Sequence, residues 1–152
     1  MSPDGENRNR VTDGITNDGC GDIAPNGQDI LFLSDRREYK GIYSINIFTK
    51  KVSNIVSEYI VAPCPRWSPD GQRIVFSSQG VIFIVNRDGS EITPLPTQGY
   101  ASTPHWSPNG TMIAFSCNKG SDNDIFIMKI DGSDIVQITN NLVNDENPVW
   151  QP

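Results

Sequence analysis

Short runs in which bulky apolar residues mix with small polar ones recur along the chain, and each is closed by Pro, Asn, Asp or Gly. In Ile42-Tyr43-Ser44-Ile45-Asn46-Ile47 the β-branched residues dominate a two-residue alternation, which predicts a strand. Val81-Ile82-Phe83-Ile84-Val85 is apolar throughout, the pattern of a strand buried on both faces, and Asp124-Ile125-Phe126-Ile127-Met128 repeats it. The prolines of Glu91-Ile92-Thr93-Pro94-Leu95-Pro96 suit an outer edge strand, which does not need to offer every N–H. Ahead of these runs, strands are predicted over 30–34, 41–47 and 51–56, and no helix of functional size is predicted anywhere.

The runs belong to a larger repeat. Pro65-Arg66-Trp67-Ser68-Pro69-Asp70-Gly71 leads into Ile74-Val75-Phe76-Ser77, and Pro104-His105-Trp106-Ser107-Pro108-Asn109-Gly110 leads into Ile113-Ala114-Phe115-Ser116. Pro-x-Trp reads as a short extended piece, because Pro supplies no ladder N–H. Ser-Pro-Asp-Gly then reverses the chain, with Pro where a turn wants its fixed φ and Gly where φ must be positive. Trp67 and Trp106 are 39 residues apart, and Trp106 and Trp150 are 44 apart. A degenerate copy, Ile23-Ala24-Pro25-Asn26-Gly27, precedes Trp67 by the same 44. A period of about 40 to 45 with several strands per unit is the spacing of a propeller blade.

The predicted fold class is therefore all-β: a partial propeller of about three four-stranded antiparallel blades with flanking strands. The units are placed at 17–60, 61–99 and 100–143, with 1–16 as the last strand of a preceding blade and 144–152 as the first strand of a following one. A four-stranded twisted sheet cannot cover its own two apolar faces, so blades stack around an axis and Trp67, Trp106 and Trp150 are expected as wedges between them. Three blades do not close a ring. Two arrangements stay open: a piece of a longer propeller, or a homodimer of half-rings completing six blades.

Composition narrows the function classes. The 152 residues carry a formal charge of −6, so the broad positive field of a nucleic-acid binder is missing. No run of 18 or more apolar residues occurs, and the first residues have neither the basic nor the apolar region of a secretory signal. Three cysteines, Cys20, Cys64 and Cys117, form no CxxC pair, and His105 is the single histidine. These are expected to be small buried or loop thiols, not a metal or redox site, although Cys20 and Cys64 precede successive copies of the first strand.

Taken together, Pro-x-Trp-Ser-Pro-Asp/Asn-Gly, Ile-x-Phe-Ser, Asp-Ile-Phe-Ile-Met and Asp-Gly-Ser resemble the WD40-like PD40 repeat of the TolB propeller family. The signature residues are Trp67, Asp70, Gly71, Trp106, Asn109, Gly110, Asp124 and Trp150. The first unit departs from it, with Ile23 in place of Trp and Phe48-Thr49-Lys50 in place of Asp-Gly-Ser. The resemblance implies a periplasmic or extracellular setting and a protein or peptide partner. It also extends to the propeller portions of prolyl-oligopeptidase-like enzymes and to oligogalacturonate lyases, and fold alone does not choose among these.

Candidate chemistry is sparse. No Gly-x-Ser-x-Gly elbow accompanies His105, a sugar lyase would need several metal-binding His, and no cofactor is implied. If first strands line the channel, as the resemblance implies, Arg66 and His105 face it, and Val149 stands at the matching place. The charged stretch Asp35-Arg36-Arg37-Glu38-Tyr39-Lys40 is read either as a solvated turn or as a recognition loop using Asp35, Arg36, Arg37 and Tyr39. Asp122-Asn123-Asp124 does not fit a calcium loop, and Asp124 is expected to cap a strand by hydrogen bonding. The expected function is a non-catalytic binding or scaffold module, with the alternative of a propeller portion of a larger enzyme.

Overall fold

The alternation becomes twelve strands in a computed structural model that describes residues 10–37, 40–57 and 64–151. The first sheet is an antiparallel meander of β1 (Asp18–Ile23), β2 (Asp29–Ser34), β3 (Gly41–Asn46) and β4 (Val52–Val56). The second holds β5 (Arg66–Trp67), β6 (Arg73–Ser78), β7 (Val81–Asn86) and β8 (Thr93–Leu95). The third holds β9 (Tyr100–Trp106), β10 (Met112–Asn118), β11 (Asn123–Lys129) and β12 (Val136–Gln137). These are three open, propeller-like blades, with no helix among the described residues. Residues 10–17 and 138–151 carry no strand, and residues 1–9 lie outside the described part.

Strand pairing follows from the turn residues. Gly71 takes φ +67 in the turn between β5 and β6, closed by its N–H donating to Ser68 O at 2.8 Å. The Ser68 hydroxyl donates to Asp70 at 2.5 Å and accepts from the Arg73 N–H at 2.9 Å, so the turn's own side chains satisfy the first ladder position. Ser107, Asn109 and the Met112 N–H repeat this in the third sheet.

Between sheets the residues pack by kind. Phe76 and Phe83 stack at 5.3 Å on the face turned to the first sheet, where Leu31, Ile42, Ile55 and Val56 receive them. Phe115 and Phe126 do the same against Val75, Ile82, Ile84 and Leu95 of the second sheet. An aromatic face therefore meets an aliphatic face at each seam, a pairing that interdigitates large against small. Trp67 and Trp106 are buried at these seams, 6% and 4% exposed, whereas Ile23 at the same position of the first unit is 64% exposed.

One expectation is corrected. Cys20 and Cys64 are not isolated thiols: they form a disulfide with Cα atoms 5.1 Å apart. Each stands three residues before the wedge position of its unit, so a shift of one repeat places Cys20, on β1, beside Cys64, just ahead of β5, within bridging distance. Cys117 remains a free thiol in the core of the third sheet, where burial pushes its pKa up and leaves it inert.

Candidate functional site

The inner strands β1, β5 and β9 run along one side of the blades, and the stretch 147–150 follows β9. The residue just before the wedge position is Asp22, Arg66, His105 or Val149 in successive units. The repeat brings these side chains together although 39 to 44 residues separate their wedge positions. Arg66 and His105 border one cavity of about 180 Å³ with Cys64, Thr103, Asn147 and Val149. They also border a second, wider recess with Asp22, Trp106 and Trp150.

Local backbone geometry aims this wall. The pairing of β1 with β2 shifts register between Gly19 and Asp22, and that of β9 with β10 shifts between Ala114 and Ser116. Cys20, Thr103 and Asn147 occupy equivalent places three residues before the wedge, and all take positive φ, at 54, 48 and 57°. In the first and third sheets a bulge at this place re-aims the side chains that precede the wedge.

Charge is balanced across the wall. Arg66 Nη1 lies 3.6 Å from Asp22 Oδ1, with both side chains partly exposed. The other Asp22 oxygen accepts the Trp67 N–H at 2.7 Å, so this carboxylate ties the first sheet to the second while neutralising Arg66. His105 Nδ1 lies 3.2 Å from the Trp106 carbonyl oxygen. The His105 carbonyl in turn accepts the Trp150 indole N–H at 3.2 Å, as the Arg66 carbonyl accepts that of Trp106 at 3.3 Å. The Trp67 indole N–H finds no acceptor among the described residues.

The charged loop stands apart from this wall. Asp35 accepts the side-chain and then the backbone N–H of Asn17, at 2.7 and 2.9 Å, which hold its carboxyl below the usual carboxylate range. Arg36 folds back over the rings of Phe32 and Tyr43, 4.8 and 5.1 Å from their centroids, and pairs with Asp18 at 3.2 Å. Both are thus engaged by their own blade. Arg37 is exposed, and Tyr39 lies outside the described residues. Asp124 accepts from Gln137 Nε2 at 2.8 Å and from the Thr139 hydroxyl at 3.3 Å, tying β11 to the outermost strand. Among the described residues no three His, Cys, Asp or Glu side chains gather as metal ligands.

Asp22 is the wall residue that the Pro-x-Trp motif does not reveal, because Ile23 stands where Trp marks the later units. Its signal is the 44-residue offset from Arg66, the same offset that relates Cys20 to Cys64.

Comparison with solved structures extends the reading. TolB from Acinetobacter baumannii superposes with a TM-score of 0.72 at 21% identity, over 80% of this chain and 32% of that one. A putative TolB from Agrobacterium tumefaciens gives 0.74 at 23%, over 84% and 50%. A structure from a study of two prolyl endopeptidases gives 0.64 at 15%, over 86% and 23%. The chain thus spans between a third and a half of the two TolB chains, and the likeness at these identities is one of fold. No curated protein sequence matches. Residues 65–152, more than half of the chain, match the family described as PD40, TolB beta propeller domain, and the chain belongs to that family.

Proposed function

We propose that this chain is a non-catalytic binding or scaffold module that takes a protein or peptide segment at its axial wall. The observation that carries the reading is the shared cavity, where Arg66 and His105 from two blades stand with Thr103 and Asn147 around a space of about 180 Å³. A guanidinium, an imidazole, a hydroxyl and an amide offer hydrogen bonds to the carbonyls, amides and carboxylates of a peptide, and the space is of side-chain size. Arg66, Thr103 and His105 stand on strands that hold them without needing the ligand to order them first. The fold likeness to a prolyl endopeptidase favours a second reading, in which the same wall belongs to the propeller portion of a larger enzyme.

The test is selection of a random peptide display library on the full chain, followed by fluorescence anisotropy of the selected peptides. Binding is expected to weaken by about tenfold or more in Arg66→Ala/His105→Ala, the loss of one to two charged or polar contacts. Phe48→Ser, on an exposed turn, is expected to leave it unchanged. Peptides that bind the double variant as well as the parent would refute the assignment.

A further inference from the structure

The two seams between sheets are not tied alike. At the seam of the second and third sheets, the Trp106 indole donates across to Arg66 O. At the seam of the first and second, the Trp67 indole has no acceptor among the described residues. The repeat also places Ser44 where Ile84 and Ile127 stand in the later blades, so this seam has less apolar contact at that level. The first seam is held by the Asp22 contacts to Trp67 and Arg66, by an Arg87–Asp29 ion pair and, at its axial end, by the Cys20–Cys64 bridge, with Cys64 on the wall of the Arg66 and His105 cavity.

We infer that this bridge is a redox latch: closed in an oxidising compartment, and opened by a dithiol so that β1 and the axial edge of the first sheet loosen while the second and third sheets stay folded. Accessibility supports this, because Cys20 is exposed and Cys64 partly exposed, whereas Cys117 is 1% exposed in the core. A thiolate of the reductant attacks one bridge sulfur, the other leaves as a thiolate, and the second thiol of the reductant then displaces the first Cys. Two electrons pass from the dithiol to the bridge, both Cys sulfurs take up protons, and the reductant ends as a disulfide.

Locality follows from the packing. The core shared by the second and third sheets, from Val75 and Ile82 to Phe115 and Met128, contains no residue of the first sheet. Opening the bridge leaves that core intact. Persistence of the bridge also sets a condition on where the chain works, since exposed disulfides last in oxidising compartments and are reduced in a thiol-rich cytosol. This goes beyond the binding reading and does not depend on it.

The experiment uses the full chain produced through an oxidising compartment. Maleimide labelling under denaturing conditions is expected to find one thiol per chain before dithiothreitol treatment and three after it, from the three cysteines present. Hydrogen exchange by mass spectrometry is then compared between the oxidised chain, the reduced chain and Cys20→Ser/Cys64→Ser. Exchange over 18–34 is expected to accelerate by about tenfold or more on reduction, with 73–86 and 112–129 changed less than about twofold. Three labelled thiols before reduction would overturn the latch, as would unchanged exchange over 18–34 or uniform acceleration along the chain. If the serine variant does not fold, reduction of the parent chain alone separates these outcomes.

Discussion

Trp67 and Trp106 are a matched pair on which the seam argument can be measured. Both are buried to nearly the same degree, and each ring lies under an arginine, Arg87 at 5.3 Å for Trp67 and Arg73 at 5.2 Å for Trp106. Replacing either by Phe therefore removes a similar volume and keeps an aromatic face for the cation, so these costs largely cancel between the two variants. The hydrogen bond does not cancel. Trp106→Phe deletes a donor to the Arg66 carbonyl across the seam, while Trp67→Phe deletes a buried N–H that has no acceptor among the described residues. A hydrogen bond of this kind contributes about 1 kcal/mol net, and removing an unsatisfied polar group recovers a comparable amount. Trp106→Phe is thus expected to be about 1 to 2 kcal/mol more destabilising than Trp67→Phe. With a urea m-value of about 2 kcal/mol/M for a domain of this size, the midpoints should differ by about 0.5 to 1 M. The assay is urea unfolding followed by far-UV circular dichroism on both variants and the parent, under oxidising conditions. Equal midpoints, or a lower midpoint for Trp67→Phe, would refute the reasoning that the two seams differ by this bond.

Other outcomes follow from the same geometry. Gly89 has φ +88 and an added Cβ would stand 2.5 Å from the Ile55 carbonyl oxygen of the neighbouring blade, whereas Gly27 at φ +67 meets nothing within 4 Å. Gly27→Ala should cost the left-handed backbone penalty of about 1 to 2 kcal/mol, and Gly89→Ala clearly more in thermal unfolding, because backbone has to shift. Replacing both bridge cysteines by Ser releases a loop spanning 44 residues and is expected to cost up to about 4 kcal/mol by the chain-entropy relation, read as the loss of urea stability. The Asp70 carboxyl is held below its ordinary value of 3.8, first by the Ser68 hydroxyl and then by the Gln72 N–H. A depressed folded-state pKa stabilises above the unfolded value and loses that contribution as pH falls through the folded one. Asp70→Asn should therefore destabilise at neutral pH and converge with the parent below the folded-state pKa, seen in urea midpoints across acid pH; a constant gap would count against the carboxylate's role.

Much of the architecture is legible along the chain because a strand needs only alternation and a turn needs only local φ. The runs at 41–47 and 81–85, the Ser-Pro-Asp-Gly reversals and the Asp-Gly-Ser turns are local preferences repeated at a period, and the period itself names the way the blades stack. Arg66 and His105 were legible as candidates for the same reason, since a repeat position maps onto one place around an axis. Less legible was anything set by which unit breaks the pattern.

Tertiary structure decided those exceptions. Pairing of Cys20 with Cys64 depends on β1 of one blade lying beside the segment that leads into β5 of the next, a distance between units that no local preference encodes. Asp22 joined the wall because the bulge in β1 lets one carboxylate reach both Arg66 and the Trp67 N–H. In the charged stretch, read either as a solvated turn or as a recognition loop, Arg36 lies over Phe32 and Tyr43, whose rings offer a cation the contact that solvent does not. Sequence by itself determined strands, turns and their repeat, which are short-range free energies. The partners of Trp67, Arg36, Asp22 and the two cysteines were decided by packing between strands and blades, where a side chain's energy depends on atoms far along the chain, about 40 residues away for the contacts between blades.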